Sequence, residues 1–79
     1  MSDPKVIVFT QRDCPPCLWV KSFLAERGVR FEERSIDSSL AVARELTQKY
    51  NSQSTPTVVI RDEVVIGYNP DRLDQLLAQ

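Results

Sequence analysis

Apolar and polar residues follow one another along the chain in blocks that predict four strands and three helices. Residues 5–10 hold a continuous Val-Ile-Val-Phe run, which is typical of a strand buried on both faces in the middle of a sheet. The next block has the spacing of a helix, carried by Val20, Phe23, Leu24 and Arg27. Gly28 is placed to end that helix in a left-handed cap.

The second strand and helix have a weaker pattern. Residues 30–37 alternate with many charges, so they predict a strand at a sheet edge, with Phe31 and Ile36 on opposite faces. Asp37, Ser38 and Ser39 offer N-caps for a helix that runs to about Tyr50. Its apolar face is formed by Ala43, Leu46 and Tyr50. This strand-helix-strand order implies a parallel, right-handed crossover.

The last third of the chain predicts a hairpin and a closing helix. A polar loop at 51–54 leads through Thr55-Pro56 into a third strand at 57–61, and a tight Asp62-Glu63 turn leads into a fourth strand at 64–66. Asn69 can cap the last helix, with Pro70 at its first position. The buried face of that helix consists of Leu73, Leu76 and Leu77.

Both cysteines of the chain, Cys14 and Cys17, fall at the predicted turn from the first strand to the first helix. The free N–H groups and the positive end of the helix dipole favour a thiolate at such a position, so Cys14 is the natural nucleophile. Pro15 suits the first helical position, and Cys17 lies one turn further along the same face. The spacing predicts a dithiol that attacks a target disulfide through Cys14 and resolves the intermediate through Cys17.

Three other interpretations of the two cysteines are weaker. The two cysteines could be half of a zinc site, but the usual remaining ligands are missing, because the chain has no His and no further Cys. A permanent structural disulfide would close a loop too short to constrain the unfolded chain much. The third interpretation, two buried and inert thiols, is disfavoured because we expect the helix start to be exposed and because it carries paired prolines. A redox dithiol is therefore the favoured interpretation.

Length and charge narrow the function further. The 79 residues predict a single domain, 1–79, and the formal charge of −1 leaves no basic stripe for nucleic acid. Only two glycines occur, so no glycine-rich nucleotide loop exists, and electrons must come from another protein or a small thiol. The polar start, Met1 to Pro4, does not resemble a signal peptide, and no segment is long enough to span a membrane, so we expect a cytoplasmic protein.

Trp19 leaves two possibilities open. It could pack in the core or stand beside the cysteines, and for a lone aromatic residue on a helix we expect packing in the core.

These residues resemble a known family. The C-x-x-C at the first strand-to-helix turn, with Thr-Pro opening the third strand, is similar to the thioredoxin fold in its small glutaredoxin form, over essentially the whole chain. The segments FTQRDC (9–14), ERGVRFE (26–32) and GYNPDRL (67–73) most resemble NrdH-redoxins. The implied fold is α/β, with a four-stranded mixed sheet, three helices and the order β-α-β-α-β-β-α.

The resemblance also implies roles and partners. Cys14 would attack and Cys17 would resolve, with Pro56 as a cis-proline facing them and Thr55 offering its backbone to a substrate segment. The implied substrate-binding residues are Arg12, Pro15, Pro16, Thr55, Pro56, Gly67, Tyr68 and Asp71. NrdH-redoxins bind no cofactor, take electrons from thioredoxin reductase and NADPH, and donate them to ribonucleotide reductase. We expect a monomer of this kind that acts on protein disulfides.

Two rivals remain at this point. Glutathione-dependent glutaredoxins usually carry Lys or Arg where this chain has Gln11, but Asp71 matches their residue for the γ-glutamyl amine, and Lys49 or Arg12 could meet a carboxylate. In isolation, Asp71 is better explained as a first-turn helix charge. The remote rival is a dimeric iron–sulfur or metal carrier bound through Cys14, which the proline after that cysteine would crowd.

Overall fold

A computed structural model describes residues 5–78 of the chain, so the expectation about Met1 to Pro4 lies outside the described residues. The elements follow the predicted order. They are β1 (Val6–Thr10), α1 (Pro15–Glu26), β2 (Glu32–Ser35), α2 (Leu40–Arg44) with a π-helical continuation (Glu45–Lys49), β3 (Thr57–Ile60), β4 (Glu63–Ile66) and α3 (Pro70–Leu77).

The four strands form one mixed sheet in the order β2-β1-β3-β4. β1 pairs with β2 in parallel, with Phe9 opposite Arg34, and with β3 in antiparallel fashion, with Phe9 opposite Thr57. The charged strand β2 therefore lies at an edge, as predicted. All five residues of β1 are buried, in agreement with its apolar run.

Alternate residues of the central strands divide the core into two layers. Val6 and Val8 face a cluster with Phe23 and Leu24 of α1 and with the leucines of α3. Ile7 and Phe9 face the opposite cluster, which contains Leu46. The sheet thus lies between α1 and α3 on one side and α2 on the other, which fixes the direction in which α1 leaves β1.

The helix ends agree with the residues that predicted them. Gly28 has a φ of 68° directly after α1, which is the left-handed conformation that a helix end of this kind requires. Asn69 caps α3 by accepting the Arg72 N–H at 3.2 Å, and Leu73 and Leu76 are buried. Among the three candidate caps for α2, Ser39 is the one used, because its hydroxyl accepts the Val42 N–H at 3.1 Å.

The predictions for the second helix and for the hairpin turn are wrong in detail. The segment to Tyr50 is not one α-helix, because its last turn, Glu45–Lys49, is π-helical. Arg34 Nη1 donates to both carboxylate oxygens of Glu45, which joins this turn to β2. The hairpin turn is one residue earlier than predicted, since Glu63 already pairs with Ile60 and Arg61 takes the positive φ of 57°.

Trp19 also departs from the expectation. We expected it to pack in the core, but 53% of the residue is exposed. Its ring makes an edge contact with Tyr68 at a centroid distance of 5.8 Å. The inward positions of α1 are already filled by Val20, Phe23 and Leu24, which leaves Trp19 on the outer side.

Within residues 5–78, none of the helices has both the length and the apolar content that crossing a bilayer would require.

The core assignment predicts unequal effects for two leucine truncations. Leu24→Ala should lower the free energy of unfolding by about 2–5 kcal/mol, because Leu24 is fully buried. The matched Leu40→Ala change, at a residue that is 65% exposed, should cost less than about 0.5 kcal/mol. Urea denaturation of the oxidised proteins measures both, and equal losses would contradict the assignment.

Candidate active site

Cys14 and Cys17 form a disulfide at the start of α1, with their Cα atoms 5.3 Å apart. Cys14 is the N-cap residue and has extended backbone angles, with φ −120° and ψ 90°. The two cysteines differ in exposure, because Cys14 is partly exposed whereas Cys17 is 2% exposed. A molecule approaching from solvent therefore meets the Cys14 sulfur first.

Two donors point at the Cys14 sulfur. The Cys17 N–H lies 3.2 Å from Sγ, so the sulfur takes the place of a capping oxygen in the first turn of α1. The Thr55 hydroxyl donates to the same sulfur at 3.7 Å. Hydrogen bonds of this kind favour the charged form of an acceptor, so both donors would stabilise a thiolate at Cys14 after reduction.

The segment that carries Thr55 is held from several sides. The Thr55–Pro56 peptide bond is cis, as the family resemblance implies, and Pro56 is buried. The Gly67 N–H donates to the Pro56 carbonyl at 2.8 Å. Behind it, the buried Ser52 and Thr57 hydroxyls lie 2.8 Å apart. These contacts fix the segment beside the disulfide.

The loop before Cys14 is anchored by a residue that we considered only as a helix cap. The Asp37 carboxylate accepts the Arg12 backbone N–H at 2.7 Å, which joins this loop to the end of β2. Asp13 has a φ of 53°, a left-handed conformation that Asp tolerates better than most residues. The anchored turn sets where the backbone enters α1.

A surface groove of about 400 Å³ opens beside the disulfide. Its lining residues are Thr10, Gln11, Asp13, Cys14, Pro15, Cys17, Leu18 and Lys21. At one wall the Lys21 ammonium lies 3.1 Å from Glu33 Oε2, the same oxygen that accepts the Thr10 hydroxyl at 2.9 Å. The hydrogen bond from Thr10, with that from Lys21, lowers the pKa of Glu33 below its ordinary value.

Tyr68 packs against two aromatic rings of α1. Tyr68 is 40% exposed and makes edge contacts with Trp19 at 5.8 Å and with Phe23 at 6.2 Å between ring centroids. The Arg27 guanidinium covers the Phe23 ring at 3.5 Å, as expected for an arginine whose stem covers apolar surface. Tyr68 follows Gly67, so this aromatic group is continuous with the Pro56 segment.

The backbone N–H groups at the start of α3 are largely hydrogen-bonded within the helix end itself. Asn69 accepts the Arg72 N–H, and Pro70 has no N–H to offer. Asp71 is exposed in the first turn of this helix. The N-terminus of α3 therefore presents few free donors to an anionic ligand.

The structure brings together most, though not all, of the residues predicted for the site. Cys14, Cys17 and Pro15 line the groove, and Thr55 with its cis-proline lies against Cys14. Pro16 is the second residue of α1 and is half-buried. Arg12 and Asp71 are exposed and do not line the groove.

Sequence reasoning missed Thr10, Lys21 and Glu33. Lys21 carried a usable signal, because it follows Cys17 by four residues on a helix and must share its face. For Glu33 the sequence carried no such signal, since only the pairing of β2 with β1 brings it to Thr10.

Within the described part of the chain, no cluster of three or more His, Cys, Asp or Glu residues is suited to hold a metal ion.

Comparison with known proteins gives a consistent result. The glutaredoxin family model matches residues 6–65. The glutaredoxin of Pseudomonas aeruginosa is 33% identical over 64 residues, which is 81% of this chain and 76% of that protein.

Two solved structures are similar along nearly the whole chain. The thioredoxin-like protein BC3987 superposes with a TM-score of 0.89 and is 48% identical, covering 92% of this chain and 100% of its own. NrdH-redoxin from Escherichia coli, a glutaredoxin-like protein with a thioredoxin-like activity profile, superposes with a TM-score of 0.81 at 26% identity. That match covers 91% of this chain and 93% of the other.

The Thr55 contact predicts a change in the acidity of Cys14. In a Cys17→Ser background, Thr55→Val should raise the pKa of the single thiol by up to about one unit, because a donor to the thiolate is lost. Thr55→Ser keeps the hydroxyl and should leave the pKa within a few tenths of a unit. Thiolate absorbance at 240 nm against pH measures both, and an unchanged pKa in Thr55→Val would contradict the role of this hydroxyl.

Proposed function

Because the chain belongs to the glutaredoxin family, whose members are thiol–disulfide oxidoreductases, we propose that it is an electron carrier of the NrdH-redoxin type. In this proposal it takes electrons from thioredoxin reductase and NADPH and passes them to protein disulfides. Residues 1–79 act as one monomeric domain in the cytoplasm. The redox group is the cysteine pair itself, and no bound cofactor is involved.

The observation that carries this proposal is the unequal exposure of a disulfide at a helix start. Cys14 is reachable from solvent and accepts the first N–H of α1, whereas Cys17 is 2% exposed. An exposed, hydrogen-bonded thiolate is the better first nucleophile, and a buried neighbour is protected until the intermediate forms. Cys14 is therefore the attacking residue and Cys17 the resolving one.

The reaction proceeds by two exchanges. The Cys14 thiolate attacks one sulfur of the target disulfide, so that a mixed disulfide forms and the other target sulfur leaves as a thiolate. Cys17 then loses its proton and attacks Cys14 Sγ, which releases the second target thiolate. Two electrons pass to the target, and the Cys14–Cys17 disulfide remains for the reductase to reduce.

The start of α3 favours a reductase over glutathione as the electron donor. A γ-glutamyl carboxylate needs free N–H groups or cations, but Asn69 already accepts the Arg72 N–H and Pro70 has none. Gln11 is neutral, and Arg12 lies outside the groove. Asp71 alone keeps the glutathione alternative open, because its exposed carboxylate could still receive an amine.

A protein target suits the exposed side chains near the cysteines. Leu18, Trp19 and Tyr68 are 60%, 53% and 40% exposed. Leu18 lines the groove, and Trp19 contacts Tyr68. Pro15, Pro16 and Gly67 add uncharged surface, and the Thr55 backbone, next to the buried Pro56, can pair with an extended segment. By its similarity to NrdH-redoxin, ribonucleotide reductase is the first target to examine.

Consumption of NADPH during reduction of a protein disulfide tests the proposal. Thioredoxin reductase alone should support turnover, whereas glutathione with glutathione reductase should support little. Cys14→Ser should abolish turnover with either donor and serves as the control for reduction that bypasses the site. Turnover with glutathione alone would instead make Asp71, Thr55 and Arg12 a glutathione site and assign the protein to the glutathione-dependent members.

A further inference from the structure

Lys21 lies on the same face of α1 as the buried cysteine. It follows Cys17 by four residues, a spacing that brings Cβ atoms within about 5–6 Å on a helix. Both residues line the groove beside the disulfide. The Lys21 side chain is 29% exposed, so its charge is partly shielded from solvent.

One carboxylate oxygen holds the Lys21 ammonium at this wall. Glu33 Oε2 lies 3.1 Å from Lys21 Nζ and accepts the hydroxyl of Thr10 at 2.9 Å. Thr10 is 3% exposed and lines the same groove, so the carboxylate is anchored on strand β1 as well as on β2. A lysine tied in this way has fewer positions to occupy than a free surface lysine.

The charges around the groove are few. Among its lining residues in the described part of the chain, Asp13 is the anion and Lys21 the cation. Glu33 lies behind Lys21 on β2, and Thr55, on the cis-proline segment, is uncharged. Besides the N–H groups at the start of α1, the balance of Lys21 against Glu33 and Asp13 therefore contributes to the local field at a sulfur anion in the groove.

We propose that Lys21 is a positioning residue for the resolving step, in which its ammonium, fixed by Glu33 and Thr10, stabilises the thiolate of Cys17. This inference rests on the proposed function. In the mixed disulfide, Cys17 gives its proton to water and its sulfur attacks Cys14 Sγ. The Cys14–Cys17 bond forms, the bond from Cys14 to the target breaks, and the target thiolate takes a proton from water.

Two neutralising substitutions should act in opposite directions. Lys21→Met removes the cation and leaves the Glu33 carboxylate, so the thiolate of Cys17 loses support. Glu33→Gln removes the anion, keeps an oxygen that accepts from Thr10, and leaves the ammonium unopposed. A purely structural role for the pair would not separate the two variants by sign.

The acidity of Cys17 can be measured in a Cys14→Ser background, which leaves one thiol and resembles the mixed disulfide in having no charge at position 14. Lys21→Met should raise the pKa of Cys17 by about one unit, and Glu33→Gln should lower it. Lys21→Arg keeps the charge and should stay close to the parent. Lys5→Met, at the residue directly before β1 and at the opposite end of this strand from Thr10, is the control for losing one positive charge.

A second readout is the rate of resolution. When the reduced protein reacts with an aromatic disulfide such as Ellman's reagent, the first thiolate released reports attack by Cys14 and the second reports attack by Cys17. A one-unit rise in pKa leaves about tenfold less thiolate at pH 7, but that thiolate is about threefold more nucleophilic. The second phase of Lys21→Met should therefore be about threefold slower at pH 7, and no slower once the pH exceeds the Cys17 pKa of both proteins.

The outcomes separate this inference from the proposed function. A Cys17 pKa that does not rise in Lys21→Met, or that moves the same way in Glu33→Gln, overturns the role of Lys21. Failure of the proposed function would instead show as absence of turnover by the unaltered protein with thioredoxin reductase, whatever the thiol pKa values are.

Discussion

The hydrogen bond from the Cys17 N–H to the Cys14 sulfur, across the first turn of α1, is the contact on which the site depends. It requires Cys14 to stay in the extended N-cap conformation and α1 to begin at Pro15. The helix cannot rotate away from this position, because Val20 and Leu24 are fully buried against the sheet. With α1 fixed, Cys14 is partly exposed to solvent and Cys17 is buried, which is the difference on which their proposed roles rest.

Contacts between distant parts of the chain then surround the Cys14 sulfur. Asp37 holds the loop before Cys14 through the Arg12 N–H, and Thr55 approaches the sulfur from the segment before β3. Glu33 brings β2 to the groove through Thr10. Each of these contacts depends on β1 lying between β2 and β3, so the order of the sheet determines the environment of the disulfide.

The parts of the fold that depend on local sequence were predictable. The spacing of Val20, Phe23 and Leu24, with Gly28 behind them, located α1, and Asn69-Pro70 located the start of α3. The features that were wrong or missed depend on how the elements pack together, which the local pattern alone does not determine. Trp19 stays outside because Val20 and Phe23 fill the inward positions, and the π-helical turn at Glu45 is joined by an ion pair to Arg34 on another element. Arg61 takes a left-handed conformation that Gly, Asn or Asp would usually signal.

The central claim is that Cys14, and not Cys17, is the reactive thiolate of the reduced protein. Brief treatment with a substoichiometric amount of iodoacetamide at pH 7, followed by peptide mass mapping, measures this directly. Because Cys14 is partly exposed and its sulfur is hydrogen-bonded at a helix start, whereas Cys17 is buried, nearly all of the label should be on Cys14. Label shared equally between the cysteines, or found mainly on Cys17, would contradict the account.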